Sequence, residues 1–318
     1  MTPAHNIDVV VVGEILIELS STEPFTGGSS VTLGFSGDAM NAAAAAAAAG
    51  ARTAVLTRIA DDALGQAILG RLTELGVDTS LVRLVPGQHG TYFVHSDPAG
   101  DREFVYARRG SAASQLAPQD IADARVEDAQ VVLSSGVTGA ISATADAAVQ
   151  EAARRGRMFV YDPNFRPGLV SAAAAARSLR RLAPYAALVT PAAPSETRAL
   201  LGCDDPVVAA RTARGLGANA VAVTRGAEGV FLDDGTATFD VPGVPAPTLV
   251  DQTGAGDSLV GTVVGRLAVG DSLLDAIRLG SAAASLSMQG QGGTGFVATL
   301  AQTRDHLESH GSGARQRT

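Results

Sequence analysis

The stretch that decides this fold spans residues 251–257 and reads Asp-Gln-Thr-Gly-Ala-Gly-Asp. A segment rich in proline and valine precedes it, and the pattern after it predicts a helix. Glycines at 254 and 256 allow a tight turn that points several amide N–H groups outward at the start of that helix. Free amides and the positive end of the helix dipole favour negative charge there. The stretch therefore predicts an anion site.

Asp257 closes the same stretch, so its carboxylate is expected to project from the turn. A carboxylate beside an anion site suits a reaction in which one oxygen loses a proton while another gains negative charge. The alternative is that Asp257 only caps the helix.

The length allows a large core in one α/β domain or in one domain with an appendage. The chain has 318 residues, 46% of them hydrophobic and 4% aromatic, with one cysteine, Cys203, which excludes an intrachain disulfide framework. The net charge of −8 argues against a nucleic-acid surface. No apolar stretch approaches the roughly 20 residues that a membrane span needs. The beginning of the sequence lacks the pattern of a secretory signal, so we expect a cytoplasmic protein without a membrane contact.

All 24 basic residues are arginine, and lysine is absent from the sequence. A Walker-type loop, protein-kinase chemistry and Schiff-base catalysis each need a lysine and are excluded. Any phosphate must be neutralised by backbone amides, arginine or metal.

Apolar runs alternate with helical patterns along the chain, which predicts a mainly parallel sheet with helices on both faces. The predicted strands are apolar and mostly β-branched, and they span 7–12, 53–59, 131–133, 158–161, 187–189 and 220–223. The predicted helices span 42–49 after Asn41, then 64–75, 145–155, 206–216 and 271–288. The polyalanine segment 42–49 is predicted to be helical because alanine has the highest helix propensity.

Two stretches, about 14–34 and 90–109, have shorter alternating patterns with glycine-rich or polar turns. They predict a small antiparallel sheet that covers a cleft as a lid, or else ordinary surface hairpins. The prediction is one domain over 1–305 and a tail over 306–318 whose polar end, from 309, is disordered.

Several polar loops follow predicted strands, where open parallel sheets bind ligands. In the loop 35–41, Gly37 permits close approach, and Asp38 and Asn41 can bind sugar hydroxyls or simply cap the next helix. In the loop 162–167, Arg166 can clamp a carboxylate or phosphate with two hydrogen bonds, although Asp-Pro-Asn is also a common turn.

Three further positions each have two interpretations. Glu196 can orient hydrated magnesium or lie in the first turn of a helix. Thr224, with the glycines that follow, can hold nucleotide phosphates or form a hairpin. In the lid, Arg108 is either a substrate contact or an exposed charge.

These segments, in this order, resemble the ribokinase-like (PfkB) family of sugar kinases over roughly residues 7–296. The stretch 251–257 is similar to the family signature Asp-Thr-x-Gly-Ala-Gly-Asp, and Gly37-Asp38-x-x-Asn41 is similar to its N-terminal sugar-binding signature. The resemblance implies a three-layer α/β/α fold with a β-sheet lid, and ATP and Mg²⁺ as cofactors. Lid edges in such folds often pair between protomers, so a homodimer through the lid is a candidate assembly.

The resemblance also assigns roles to residues. Asp257 would be the catalytic base, and the amides of Gly254, Ala255 and Gly256 would bind the transferred phosphoryl group. The implied nucleotide contacts are Asn164, Thr224, Gly226 and Gly229, and Glu196 would bind magnesium through water.

Within the family, the lid is most similar to that of 2-keto-3-deoxygluconate kinases. Their pattern Tyr-x-x-Arg-x-x-Ser-Ala appears as Tyr106-Ala-Arg108-Arg-Gly-Ser-Ala, with arginine two places after tyrosine. The substrate contacts implied by this similarity are Tyr92, Tyr106, Arg108 and Arg166, which would surround a sugar acid. Transfer of the γ-phosphoryl group of ATP to its primary hydroxyl follows as the expected reaction.

Two positions depart from the family pattern. Gln252 replaces the usual threonine, and Ala193 replaces the asparagine or serine that often precedes the magnesium glutamate by three. These departures leave open a catalytically weak sugar-binding homologue. A fructokinase or ribokinase type of enzyme for a neutral sugar or nucleoside is a separate alternative.

Overall fold

Apolar β-branched runs form the strands of a wide central sheet, and alanine-rich segments form the helices around it. The computed structural model describes residues 7–21, 23–96, 102–310 and 313–317. The strands of these residues are β1 (Val9–Val12), β2 (Leu16–Ser21), β3 (Thr32–Ser36), β4 (Thr53–Ala60), β5 (Val82–Val85), β6 (Gly90–Ser96), β7 (Arg102–Ala107), β8 (Val131–Ser135), β9 (Phe159–Asp162), β10 (Ala186–Val189), β11 (Val221–Thr224), β12 (Val230–Asp233), β13 (Thr238–Val241) and β14 (Arg315–Arg317). The helices are α1 (Asp38–Ala48), α2 (Ala63–Glu74), α3 (Pro118–Ala124), α4 (Gly136–Ala140), α5 (Ala143–Arg155), α6 (Ala172–Leu182), α7 (Pro206–Gly215), α8 (Ala255–Ala268), α9 (Leu273–Ser287) and α10 (Leu300–Ser309).

The central sheet of the described residues has ten strands in the order β14-β13-β12-β11-β10-β9-β8-β1-β4-β5. It is parallel from β5 to β11 and antiparallel from β11 to β14. The strand order reverses at β1, which pairs Val10 with Ala54 of β4 on one side and with Val132 of β8 on the other. Ligands of open parallel sheets bind at such a switch point, beyond the carboxyl ends of the strands.

Alternate residues of β1 face opposite layers, as the two-residue period of a strand requires. Val10 and Val12 belong to one buried cluster that includes Val149 of α5. Val9 and Val11 belong to a second cluster that includes Val263 of α8. The predicted three-layer α/β/α fold with a mainly parallel sheet is confirmed.

The polyalanine helix α1 is buried almost throughout, from Ala39 to Ala46. A Cβ atom added at Gly261 of α8 would lie 2.2 Å from the carbonyl oxygen of Ala42. The two helices therefore pack backbone against backbone, which only small side chains allow. The helix begins at Asp38, earlier than predicted, so Asn41 lies within its first turn.

The two irregular stretches form a separate four-stranded sheet in the order β3-β2-β6-β7, which we call the lid. The prediction of an antiparallel sheet is wrong for its centre. Strand β2 pairs antiparallel with β3 but parallel with β6, and β6 pairs antiparallel with β7. The long chain segment between β2 and β6 allows this parallel pairing, which a hairpin connection would forbid.

The prediction of a disordered end from residue 309 is wrong for residues 315–317, which form β14 and pair with the edge strand β13. An edge strand exposes unpaired backbone groups, and a polar segment can satisfy them as well as an apolar one. Residues 311, 312 and 318 lie outside the described part. In the described ranges, no helix combines the length and apolar character that a membrane crossing requires.

Candidate active site

A cleft of about 450 Å³ opens between the lid and the carboxyl ends of the central strands. It brings together most of the side chains and amides selected from the sequence. Those that line it are Gly37, Asp38, Asn41, Tyr92, Tyr106, Arg108, Asn164, Arg166, Glu196, Thr224, Gly254, Gly256 and Asp257. Ala255, Gly226 and Gly229 do not line it.

Asp257 lies in the first turn of α8, with its carboxylate held between two amide side chains. Asn41 Nδ2 donates a hydrogen bond to Asp257 Oδ2 at 2.8 Å, and Asn164 Nδ2 donates to Oδ1 at 3.2 Å. The N-cap of α8 is Gly254, and both of these hydrogen bonds reach Asp257 from outside α8. The carboxylate is thus positioned in the cleft, and the alternative that it only caps the helix is wrong.

Burial raises the pKa of Asp257, and the negative charge of Asp38 raises it further. The hydrogen bonds from Asn41 and Asn164 and the charge of Arg166 act in the opposite direction, because they favour the carboxylate form. A raised pKa makes a carboxylate a stronger base, so the environment of Asp257 suits proton removal from a hydroxyl.

The turn before α8 leaves amides available for an anion. The amides of Gly254 and Gly256 donate to no acceptor among the described residues, and Gly254 has the left-handed φ of 79° that favours glycine. The amide of Ala255 instead donates to the carbonyl oxygen of Gln252 at 3.2 Å. Ala255 is therefore a poor member of the predicted anion site, since the tight turn uses its N–H.

Buried Asp251 fixes the shape of this turn. One of its oxygens accepts from the amide and the hydroxyl of Thr253 at 2.9 and 2.8 Å. The other accepts from Gln291 Nε2 at 3.1 Å and from the Gly292 amide at 2.9 Å. Asp251 thereby ties the turn to a second loop, a contact that no local pattern in the sequence reveals.

The loop that carries Asn164 is anchored by Glu196. Glu196 Oε1 accepts from the Phe165 amide at 2.6 Å, and Oε2 accepts from the Ala192 amide at 2.9 Å. Asn164 has a φ of 39°, in the left-handed region that asparagine tolerates better than most residues. Glu196 therefore holds two strand-end loops together, and burial raises its pKa.

Two buried carboxylates, one just before the lid and one in its strand β2, were missed by the sequence interpretation. The Tyr92 hydroxyl donates to Glu18, and Arg108 donates through Nη2 to fully buried Glu14, which also accepts from Ser111 Oγ. Glu14 follows the first predicted strand by two residues. It could therefore have been found by the rule applied to the other loops, that polar residues directly after a predicted strand are candidates for the site.

Arg166 is exposed at the mouth of the cleft and makes no ion pair within 4.0 Å with any residue in the described ranges. Its charge lowers the pKa of Asp162, Asp257 and Glu196. Asp162, another polar residue of the loop 162–167, also lines the cleft, and its pKa is raised by burial and by the charge of Glu196. Arg166 thus lies near several carboxylates of the protein, and its positive charge remains available to an anionic ligand.

Gly226 and Gly229 lie in the turn that joins antiparallel strands β11 and β12. A Cβ atom at Gly229 would lie 2.1 Å from the Val241 carbonyl oxygen, so this glycine serves backbone packing. Of the predicted loop, only Thr224 reaches the cleft.

Comparison with known proteins agrees with this geometry. The family model described as pfkB family carbohydrate kinase matches residues 6–299. The chain is 35% identical over 290 residues to 2-dehydro-3-deoxygluconokinase of Thermoproteus tenax, covering 88% of each chain. It is 30% identical to 2-dehydro-3-deoxygalactonokinase of Haloferax volcanii, covering 88% of this chain and 90% of the relative.

A solved structure of fructokinase with bound ATP from Xylella fastidiosa superimposes with a TM-score of 0.83 at 21% identity. The match covers 96% of this chain and 99% of the fructokinase. The family match spans nearly the whole chain, and the first of the two relatives exceeds one third identity. The chain belongs to the pfkB family of carbohydrate kinases.

Proposed function

We propose that this carbohydrate kinase transfers the γ-phosphoryl group of ATP to the primary hydroxyl of a sugar acid, 2-keto-3-deoxygluconate (2-dehydro-3-deoxygluconate). The observation that carries the proposal is the position of Asp257, whose carboxylate is held by Asn41 and Asn164 beside the free amides of Gly254 and Gly256. A base and an anion site at one helix start are the two elements that phosphoryl transfer to a hydroxyl requires.

In this mechanism Asp257 accepts the proton of the attacking hydroxyl. Its two amide partners fix the direction of the carboxylate, so little reorganisation is needed when the hydroxyl binds. The amides of Gly254 and Gly256 then offset the negative charge that develops on the transferred group, together with the dipole of α8.

A sugar acid is favoured over a neutral sugar by the cations of the cleft. Arg108 is already paired with Glu14, whereas Arg166 has no ion-pair partner among the described residues. A substrate carboxylate or a phosphate would supply the missing anion at Arg166. The two relatives described above, 35% and 30% identical to this chain, are named 2-dehydro-3-deoxygluconokinase and 2-dehydro-3-deoxygalactonokinase.

Magnesium fits the cleft as an ion bound mainly by phosphate and water. The described residues contain no group of three carboxylate, histidine or cysteine side chains that could enclose a metal ion. Magnesium in phosphoryl-transfer sites commonly keeps several waters and few protein ligands, and it neutralises phosphate charge. Glu196, whose two oxygens already accept backbone amides, would hold such a water; buried Thr190, whose hydroxyl lacks a hydrogen-bond partner, lines the same cleft.

Three wider expectations belong to this proposal. The chain would act as one kinase domain in the cytoplasm, and this domain would extend past the predicted boundary at 305, because α10 ends at Ser309 and β14 belongs to the central sheet. The lid would close on the substrate and exclude water, which suppresses ATP hydrolysis. The lid would also pair between two protomers, since Leu33 on its edge strand β3 and Val105 on its opposite edge are 51% and 48% exposed.

The proposal is tested by measuring ADP release with magnesium and ATP across a panel of sugar acids, neutral ketoses, ribose and nucleosides. We expect the highest kcat/KM with 2-keto-3-deoxygluconate. A higher kcat/KM with fructose or ribose would contradict the sugar-acid assignment and identify a neutral sugar as the substrate. Sugar binding without any ADP release would contradict a kinase function.

A further inference from the structure

A second cavity of about 360 Å³ lies behind the loop that carries Asn164. It opens next to the carboxyl ends of β8 and β9, since Gly136 and Pro163, the residues directly after these strands, line it. Its volume is at the lower end of the range for small-molecule pockets and corresponds to about a dozen waters. Neither the proposed base nor the anion site lines this cavity.

The charged side chains around the second cavity are mostly cationic. The described residues that line it include three arginines and one acidic residue, namely Arg166, Arg177, Arg181 and Asp146. Arg181 Nη2 donates to both oxygens of Asp146 at 2.8 and 3.0 Å, and Gln150 Nε2 donates to one of them at 2.9 Å. The acid is thus neutralised inside the protein, whereas Arg166 and Arg177 form no ion pair with a described residue.

A buried hydroxyl also faces this space. Tyr161 is 2% exposed and lines the cavity, and its hydroxyl lies 3.0 Å from the position that a Cβ atom of the lining residue Gly136 would take. The hydroxyl is therefore at the cavity wall, where it can donate to a water or a ligand. Burial raises the pKa of Tyr161, so the hydroxyl remains a hydrogen-bond donor at neutral pH.

The remaining wall is apolar and small. Phe165, Leu169 and Val170 from the loop face Ala174 and Ala175 of α6. A ligand that fits must therefore combine an anionic group for the arginines with a short carbon chain for this wall. Inorganic ions alone would leave the apolar part unused.

From these contacts we propose that the second cavity binds a small organic anion of about three carbons that carries a phosphate or a carboxylate group. Arg177 holds the anionic group, and the Tyr161 hydroxyl donates to it or to a neighbouring hydroxyl of the ligand; Arg166 lines both cavities and stays assigned to the substrate of the main cleft. The ligand lies against the loop of Asn164, whose side chain holds Asp257 from the other side, so binding here is coupled to the position of the base.

The experiment uses isothermal titration calorimetry on the full-length protein with three probes: 3-phosphoglycerate, glycerol 3-phosphate and glycerate. Together they separate recognition of both groups, of phosphate alone and of carboxylate alone. We expect at least one probe to bind, and to remain bound when the main cleft is saturated with magnesium and a non-hydrolysable ATP analogue. Loss of one charge-assisted contact in Arg177→Gln should weaken binding about tenfold, and Tyr161→Phe should weaken it roughly fivefold.

The matched control is Arg180→Gln, which removes an exposed arginine of the same helix that does not line the cavity. Its affinity should equal that of the unmodified protein, and circular dichroism should show that all variants are folded. The proposal is overturned if no probe binds at millimolar concentration, if the ATP analogue displaces the probe, or if Arg177→Gln and Arg180→Gln have equal affinity.

Discussion

Asn164 donates a hydrogen bond to Asp257 across the cleft at 3.2 Å, although 93 residues separate them in the sequence. The contact joins the loop after β9 to the start of α8. Its counterpart from Asn41 joins the start of α1 to the same carboxylate at 2.8 Å. Three distant segments therefore determine where one carboxylate points.

Replacing Asp257 with asparagine should lower kcat by about two powers of ten or more, because the amide cannot accept the proton of the substrate hydroxyl. ADP release with magnesium, ATP and the preferred sugar measures this loss. Asp275→Asn is the control, since Asp275 is an exposed acid in the first turn of α9. Near-normal turnover in Asp257→Asn would exclude Asp257 as the base.

Replacing Asn164 with alanine should move the acidic limb of the kcat–pH profile to higher pH. The hydrogen bond from Asn164 favours the charged carboxylate of Asp257, so its loss raises a pKa that burial has already raised. The base is active when deprotonated, and a higher pKa therefore demands a higher pH for full activity. An unchanged or downward-shifted limb, measured with initial rates over a pH series, would contradict the role of Asn164.

Replacing Arg108 with glutamine should destabilise the protein by about 3–5 kcal/mol, because fully buried Glu14 would lose the cation that compensates its charge. The double variant Glu14→Gln with Arg108→Gln should recover much of this loss. Urea unfolding of both single variants and the double variant gives the coupling. As a matched control, Arg52→Gln, which breaks the exposed pair with Asp8, should change stability little. Strictly additive effects of the Glu14 and Arg108 substitutions would contradict the pairing.

Alanine substitution should lower stability at Gly254 and weaken ATP binding at Gly256. At Gly254 a Cβ atom would lie 2.9 Å from the Cα of Gly293 on a backbone with φ of 79°, and we expect a loss of about 1–3 kcal/mol. At Gly256 no described atom lies within 4 Å, so stability should be kept while the methyl group obstructs the anion site and raises KM for ATP. Urea unfolding and ATP kinetics measure the two effects. Equal stability of the two variants would show that the turn is not strained by a side chain at 254.

Local patterns were sufficient for the elements of this fold. The β-branched run around Val10 and the alanine-rich helix around Ala42 predicted a parallel sheet between helix layers. Both signals, a short apolar β-branched run and a high helix propensity, are local properties of a few consecutive residues. The same patterns could not assign direction in the lid, where Leu16 of β2 pairs in parallel with Gly90 of β6. Pairing direction depends on how distant segments meet.

The candidate site shows the same division. The sequence by itself determined which residue types stand after the strands, such as Arg166, and at the start of α8, where Asp257 follows the glycines of the turn. Only the tertiary structure decided that Asn41 and Asn164 hold the carboxylate of Asp257 and that Glu196 accepts the amide of Phe165. It also decided that Glu14 takes the charge of Arg108. Hydrogen bonds and ion pairs depend on distances of about 3 Å between groups far apart in the chain, and no short sequence pattern encodes such distances.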